Sequence, residues 1–193
     1  MEQTKKQQNP TLKAIVIGLK LLLISALIAA IIAFVYAVTL EQYEKNVEGQ
    51  KRLAMQAIFG SESLTYVEEL PDGATPYTVY TVSENGAVVG YCVQLAASGF
   101  GGDVSLMVGY RADGSILGVQ VVSHSETPGL GAKVEEEAHL SQYNGKSGEL
   151  ALDKDGGDVD AISGATISSR AVLEGVNEAT KIVKSYIEKG GAA

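Results

Sequence analysis

The sequence predicts an α+β protein, in which an N-terminal single transmembrane helix precedes a domain of helices packed on a mainly antiparallel sheet. Three observations predict this class. A long uncharged apolar segment lies near the N-terminus, and short runs of β-branched and aromatic residues alternate with turn formers in the middle. The C-terminal segment repeats apolar side chains at helical spacing. At 193 residues, the chain has room for one ordinary domain and an anchor.

The N-terminal apolar segment is long enough to cross a bilayer. Residues 21–40 contain no charged side chain, and a helix of that length measures about 30 Å, which matches the hydrocarbon core. A cleaved signal peptide would have a shorter apolar core and small residues after it, whereas a charged segment follows here. We therefore predict a tail at 1–18, a retained membrane helix at 19–40, a helical stalk at 41–60 and a folded domain at 61–193.

Charge is distributed unevenly along the chain. The formal net charge is −8, but residues 1–20 carry +3, so the remainder carries −11. The charged residues of that first segment are Lys5, Lys6, Lys13, Lys20 and Glu2. By the positive-inside rule, these lysines predict a cytoplasmic N-terminus, with the domain on the extracytoplasmic side of the cell (inner) membrane. An acidic domain without basic runs excludes a nucleic-acid partner.

The middle of the chain predicts a sheet made of hairpins. Residues 78–82 and 87–95 read as strands joined by Asn85-Gly86, which is a strong two-residue hairpin signal. Residues 103–110 and 115–122 predict a second antiparallel pair. Together these segments indicate a meander with one covered face.

Helices are predicted before and after these strands in the sequence. The stalk helix is expected to stop at Gly60, and a short helical stretch is expected at residues 132–140. A long amphipathic helix follows residue 166 and is the natural cover of the sheet. Its predicted apolar stripe comprises Ile167, Val172, Leu173, Val176, Ala179, Val183 and Ile187.

Few side chains indicate catalytic or metal chemistry. Cys92 is the only cysteine and lies in an apolar run, which favours a buried thiol and excludes an intrachain disulfide or a multi-cysteine metal site. His124 and His139 have no evident partner and are too few to indicate a metal site. A hydrolytic arrangement of Ser163, His124 and Asp160 can be drawn, but no nucleophile-elbow sequence supports it.

The most informative segment is residues 160–166, Asp-Ala-Ile-Ser-Gly-Ala-Thr, directly before the C-terminal helix. Unpaired backbone N–H groups and the positive end of the helix dipole attract phosphate at such a place. Gly164 and Ala165 leave room for a bulky group, and Thr166 offers a hydroxyl that can be esterified. The residues alone also allow a structural interpretation, in which Ser163 or Thr166 caps the helix.

This segment resembles the flavinylation signature Asp-x-x-Ser/Thr-Gly-Ala-Thr. The signature belongs to a family of FMN-binding domains, found in the G subunit of Rnf complexes and in NqrC of the sodium-pumping quinone reductase. In that family a flavin transferase joins the FMN phosphate to the last threonine, which is Thr166 here. Ser168 stands where many relatives have a threonine and is a second candidate acceptor.

Two further segments resemble the same family. Residues 126–131, Glu-Thr-Pro-Gly-Leu-Gly, look like its second signature, whose loop lies beside the flavin. Residues 99–102 match a Gly-aromatic-Gly-Gly element that precedes a strand. The resemblance covers nearly the whole chain and is closer to the Rnf G subunit, since the larger insertions of NqrC are missing. The cofactor-binding residues that it implies are Ser163, Gly164, Ala165, Glu126, Thr127, Gly129 and Leu130.

The resemblance implies an electron carrier with FMN covalently attached to Thr166. It would be the G subunit of an Rnf-type ion-translocating ferredoxin:NAD⁺ oxidoreductase, enzymatic only as a redox component of that complex. Its implied partners are the membrane, the flavin transferase and the other Rnf subunits, which are A, B, C, D and E. Two alternatives stay open: an anchored ligand- or partner-binding domain without redox activity, and a flavin carrier of another pathway such as quinone reduction. The sequence leaves open Na⁺ or H⁺ as the pumped ion.

Overall fold

A computed structural model describes residues 10–69 and 75–189. The chain divides into two compact units, Met1–Glu48 and Gly49–Ala193. Helix α1 spans Pro10–Phe59, and within the described residues it is the one helix long and apolar enough to cross a membrane. Its large apolar side chains between Ile15 and Leu40 are exposed, as expected for a surface that faces lipid.

The second unit contains one five-stranded sheet. The strands pair antiparallel in the order β1-β2-β3-β4-β5, so each strand lies beside its neighbours in sequence. Their bounds are Leu64–Glu69, Tyr77–Glu84, Ala87–Ser98, Asp103–Tyr110 and Ile116–Ser123. The predicted α+β class and meander are confirmed, and β1 is an edge strand to which the sequence prediction gave no bounds.

The hairpin between β2 and β3 turns where the sequence predicts it. Asn85 and Gly86 have φ values of 51° and 82°, and such left-handed pairs fit the twist of a two-residue hairpin. After β5 come a 3₁₀ turn at Gly131–Glu135, the short helix α2 at Glu137–Leu140 and 3₁₀ turns at Ser141–Tyr143 and Asp153–Asp155. The predicted helical stretch at 132–140 is therefore divided between a 3₁₀ turn and one short helical turn.

Helix α3, Thr166–Glu188, closes the larger hydrophobic core against one face of the sheet. Val172, Val176 and Val183 on this helix are fully buried, as its apolar stripe predicts. Ile167 was predicted to belong to that stripe, but its side chain is 55% exposed. At about 100° per residue, Ile167 lies roughly 140° around the helix from Val172, which turns it away from the sheet.

The C-terminal end of α1 packs on the other face of the sheet, so both faces are covered and the prediction of a single covered face is wrong. Ala54, Met55 and Ile58 form a second core with Cys92 and neighbouring side chains, and the Cys92 thiol is fully buried as predicted. Burial raises the pKa of that thiol, which keeps it protonated. The helix ends at Phe59, and the following Gly60 has a φ of 68° as the predicted stop.

Three glycines on adjacent strands make room for this helix end. Gly109 pairs with Gly118 across β4 and β5, and Gly90 lies on β3. A Cβ at Gly109 would overlap Ile58 Cγ2. One at Gly90 would lie 3.0 Å from Phe59 Cε1 and would also overlap the Tyr110 carbonyl oxygen of the neighbouring strand. A Cβ at Gly118 would lie 3.5 Å from Ile58 Cγ2, an ordinary contact. We call Gly90, Gly109 and Gly118 the glycine groove.

Candidate functional site

The backbone N–H groups in the first turn of α3 are not paired with acceptors among the described residues. Ala165 precedes the helix, and no side chain caps the helix start. Among the described residues, no acceptor meets the N–H groups of the first three helical residues, 166–168. Ser169 instead fastens the preceding turn, because its hydroxyl accepts from the Ile162 N–H at 3.0 Å and donates to the Ala165 carbonyl at 3.1 Å. The interpretation of Ser163 or Thr166 as a helix cap is therefore wrong.

A lysine from a separate loop meets Thr166 at this helix start. Lys154 Nζ donates a hydrogen bond to Thr166 Oγ1 at 2.6 Å. Lys154 lies in the 3₁₀ turn Asp153–Asp155, and the next carboxylate, Asp155, forms an ion pair with Arg170 of α3 at 2.7 Å. The loop thus delivers an ammonium group to the hydroxyl of the first helical residue.

Glu126 joins three segments beneath the helix start. Its side chain is buried, and Oε1 accepts hydrogen bonds from the Phe100 N–H at 2.7 Å and the Gly101 N–H at 3.2 Å. Its other oxygen, Oε2, accepts from the Ser168 hydroxyl at 2.7 Å. We call Glu126, the Phe100 and Gly101 amides and the Ser168 hydroxyl the carboxylate clamp.

The clamp keeps the Glu126 carboxylate ionised. Desolvation raises the pKa of this group, but the hydrogen bonds from Ser168, Gly101 and Phe100, together with nearby His124, lower it below the ordinary value overall. The buried charge is therefore satisfied by hydrogen-bond donors, as a buried carboxylate requires.

Glycines are required where the clamp segments approach each other. A Cβ at Gly99 or Gly131 would overlap a carboxylate oxygen of Glu126, and one at Gly101 would overlap the Ser125 carbonyl oxygen. Gly164 has a φ of 79°, which favours glycine, and a Cβ there would lie 3.1 Å from Leu130 Cδ1. The two glycine-rich segments are thus close-packed connections between strands and helix.

A cleft of about 320 Å³ opens above the clamp, a size within the usual range for small-molecule sites. Its lining residues are Phe100, Glu126, Thr127, Leu130, Gly131, Gly164, Ala165, Thr166, Ile167 and Ser168. The side chains of Phe100, Leu130 and Ile167 are 70%, 45% and 55% exposed, so large apolar surface surrounds a polar floor. This combination suits a flat, partly apolar ligand with an anionic group.

The structure brings most of the predicted site residues to this cleft. Those that line it are Glu126, Thr127, Leu130, Gly164, Ala165 and Thr166. Ser163 is exposed and Gly129 has open space around it, and neither lines the cleft. Lys154 was not predicted from the sequence, because it lies 12 residues before Thr166 in a turn without a recognisable local pattern. Ile167 was not predicted at the cleft, because it was counted with the apolar stripe of the core.

Both histidines contact polar groups of neighbouring residues. His124 was expected to lack a partner, but its Nε2 lies 3.2 Å from Glu135 Oε2 and its Nδ1 accepts from the Glu126 N–H. Both ring nitrogens are therefore engaged away from Ser163, and the hydrolytic arrangement does not form. His139 is buried with its Nδ1 beside Gln142 Nε2, and burial lowers its pKa. Within the described ranges, no metal-ligating cluster is present.

Comparisons with known proteins agree on one family. The model of the FMN-binding domain family matches residues 99–181. The chain is 38% identical over 174 residues to the G subunit of the ion-translocating oxidoreductase complex of Methanosarcina acetivorans, and the match covers 86% of this chain and 92% of that protein. It is 33% identical over 205 residues to the G subunit of the Na⁺-translocating ferredoxin:NAD⁺ oxidoreductase complex of Acetobacterium woodii, covering 96% and 99%.

A solved structure shares the fold. The C subunit of the Na⁺-translocating NADH-quinone reductase from Parabacteroides distasonis superimposes with a TM-score of 0.54. The match covers 77% of this chain and 95% of that structure at 23% identity. At this identity the likeness supports the fold alone.

Proposed function

Because the chain belongs to the family of G subunits of ion-translocating oxidoreductase complexes, we propose that it is the FMN-carrying, electron-transferring member of such a complex. The matches cover 92% and 99% of these two relatives, so the analogy extends over nearly their full length and is not confined to one domain. By analogy with the relative from Acetobacterium woodii, the complex would pass electrons between ferredoxin and NAD⁺ and couple this to ion transport.

The main support for this proposal is the first turn of α3, whose groups are suited to bind the phosphate of FMN. Three backbone N–H groups, 166–168, are open and lie at the positive end of the helix dipole. Lys154 adds a cation within hydrogen-bond distance of the Thr166 hydroxyl. These groups would hold an anion directly beside the proposed acceptor.

The remainder of the cleft fits the rest of the cofactor. When bound, FMN supplies reversible electron transfer through its isoalloxazine ring. The chain's part is to bind and orient it: Phe100, Leu130 and Ile167 offer apolar surface, and the carboxylate clamp holds the surrounding loops in place. Of the sequence-predicted residues, Thr127, Gly164 and Ala165 would line the site, with Ser163 and Gly129 in the adjoining turns.

Between the two candidate acceptors, the geometry favours Thr166. The Ser168 side chain is buried, and its hydroxyl donates to the Glu126 carboxylate, so attachment there would break the clamp. Thr166 is half-buried, and its Oγ1 meets Lys154 in a solvent-exposed contact instead. A phosphoester at Thr166 would therefore leave the packing of the site intact.

The proposed setting is the cell membrane. Helix α1 would anchor the chain, and the N-terminal lysines support a cytoplasmic N-terminus with the FMN domain on the extracytoplasmic side. A flavin transferase would attach the cofactor, and the other members of the complex, A to E by the Rnf pattern, would donate and accept the electrons. Covalent attachment would keep the cofactor from being lost on that side of the membrane.

The decisive experiment measures covalent FMN on the full-length chain. The chain is produced with a flavin transferase, purified from membranes in detergent, and its intact mass and denatured in-gel flavin fluorescence are recorded. We expect a mass increase of one FMN minus one water, located on Thr166 by peptide mapping. Thr166→Ala should abolish both signals, Thr166→Ser should retain a measurable part, and Ser168→Ala should keep the attachment if it folds.

Three results would change this assignment. Full labelling of Thr166→Ala would move the attachment to another residue, with Ser168 the first to test. An unlabelled wild-type chain, alongside a known substrate labelled by the same transferase, would favour the alternative of an anchored ligand- or partner-binding domain. A labelled chain that accepts electrons only from a quinone-linked system would place the same carrier in another pathway.

A further inference from the structure

We propose that Lys154 is a positioning residue for flavin attachment: it orients the Thr166 hydroxyl before the reaction and balances the charge of the phosphodiester afterwards. The inference rests on the proposed function, in which Thr166 is the acceptor. It adds a residue that lies outside the signature segment. The inference is based on the 2.6 Å hydrogen bond between Lys154 Nζ and Thr166 Oγ1.

The loop that carries Lys154 is held firmly in place. Leu152 and Val159 are fully buried and form a parallel bridge, and the Asp153 N–H donates to the Val159 carbonyl at 2.9 Å. A Cβ at Gly157 would overlap the backbone of Ala151, so the loop closes tightly on itself. The ion pair between Asp155 and Arg170 then ties the loop to α3. Lys154 is therefore presented to the helix start by a fixed backbone.

The charge of Lys154 is unusual for its location. Cations are stabilised near the C-terminal ends of helices and disfavoured near their N-terminal ends. Within the described part of the chain no carboxylate pairs with Lys154, since the adjacent Asp155 is engaged by Arg170. One negative charge on Thr166 would balance the ammonium group and would also interact favourably with the positive end of the helix dipole. A phosphodiester at Thr166 carries that single charge.

The attachment step balances without any change in oxidation state. A bond forms between Thr166 Oγ1 and the phosphorus of the FMN moiety of a flavin dinucleotide, and the pyrophosphate bond to the other nucleotide breaks. The hydroxyl proton passes to a base of the transferase, and the nucleoside monophosphate leaves. The Lys154 hydrogen bond orients Oγ1 and stabilises the negative charge that develops there. After the step, the ammonium group faces a phosphate oxygen.

The test measures the rate of attachment on the full-length chain in detergent micelles. Purified unlabelled protein is mixed with a flavin transferase and flavin adenine dinucleotide, and covalent fluorescence is followed with time. We expect Lys154→Met to slow attachment by about tenfold or more, the scale of one lost charge-assisted hydrogen bond. Lys154→Arg should recover much of the rate, because it restores the cation and its donors.

Lys181→Met is the matched control, since it removes an exposed lysine of α3 that makes no contact with Thr166. It should react at the wild-type rate, and Lys154→Met should keep the wild-type melting temperature because the side chain is exposed. A second measurement tests the charge role on labelled protein. The phosphorus-31 chemical shift of the phosphodiester should differ between wild type and Lys154→Met, and it should stay unchanged in Lys181→Met.

The outcomes separate the two proposals. Wild-type attachment rates in Lys154→Met, with Thr166→Ala unlabelled, would overturn the role of Lys154 and leave Thr166 as the acceptor. Equal slowing by Lys154→Met and Lys154→Arg would also overturn it, because the cation would then not be what matters. Labelling of the wild-type chain at a residue other than Thr166 would overturn this inference and leave the flavin-carrier function standing. A wild-type chain that takes up no flavin at all would overturn both.

Discussion

At the level of single residues, Glu126 connects parts of the chain that are far apart in sequence. Its carboxylate accepts from backbone N–H groups before β4 and from the Ser168 hydroxyl on α3. Both oxygens are occupied inside the protein, so they are poorly placed to bind a ligand. Glu126 was predicted as a cofactor-binding residue, and its contacts favour an indirect role: it shapes the cleft by holding the glycine-rich segments against the helix.

Glu126→Ala should therefore destabilise the domain. The change leaves the Ser168 hydroxyl and the Phe100 and Gly101 N–H groups without their acceptor, and we expect a loss of about 2–3 kcal/mol in the free energy of unfolding at neutral pH. Denaturant unfolding of the full-length chain in detergent, followed by a signal from the sheet domain, measures it. Glu136→Ala, at an exposed position after the next turn, is the matched control and should change little.

The stability difference should also depend on pH in a defined direction. The pKa of Glu126 is lowered in the folded protein, so its contribution is fully present above the ordinary carboxyl pKa of 4.5 and is lost as pH falls through the folded value. Wild type and Glu126→Ala should thus converge in acid. A constant difference from neutral pH down to acid would show that the lost volume, and not the charge, explains the effect.

At the level of elements, the glycine groove determines how closely the end of α1 approaches the sheet. Gly109→Ala places a Cβ against Ile58 Cγ2 in a packed core, and we expect a loss of about 1–3 kcal/mol. Gly118→Ala, on the paired position of β5, meets the same methyl group at 3.5 Å and should be tolerated. Thermal unfolding of the two variants compares them, and equal melting temperatures would contradict the tight seating of the helix.

Most elements of this fold could be predicted from the sequence. The Asn85-Gly86 turn, the strands and the helical spacing of α3 are local patterns, and each reports its own backbone conformation. Edge strand β1 received no bounds because half-exposed strands have weak patterns. Ile167 was misassigned because it was counted with the apolar stripe, although it lies roughly 140° around the helix from Val172, on a face turned away from the sheet.

The candidate site was less predictable for a physical reason. The segments 126–131 and 160–166 were found because each has a sequence pattern of its own. The contact of Lys154 with Thr166 and the hydrogen bonds of Glu126 depend on loops that meet only in three dimensions. No spacing rule relates residue 126 to residues 100 and 168, so the clamp could only be found in the structure.

At the level of the whole molecule, the distribution of charge predicts the orientation of the chain. The lysines before the apolar segment favour a cytoplasmic N-terminus, and the acidic domain beyond residue 41 would then lie outside. Protease added to wall-stripped intact cells should digest the domain while a tag at residue 1 stays protected. Digestion of the tag in intact cells, with the domain protected until lysis, would reverse this topology.

The sheet also has a consequence for the order of events during biosynthesis. A meander pairs each strand with the one just synthesised, so its contacts are local in sequence and can form early. Helix α3, which supplies Thr166, is the last described element of the chain, and its residues Thr166 and Ser168 meet partners 12 and 42 residues earlier in the sequence. Under the proposed function, the acceptor site is assembled only after α3 has been made and has met the segments that carry Glu126 and Lys154. We therefore expect attached flavin to mark chains in which α3 is present and folded, and chains truncated before α3 to stay unlabelled.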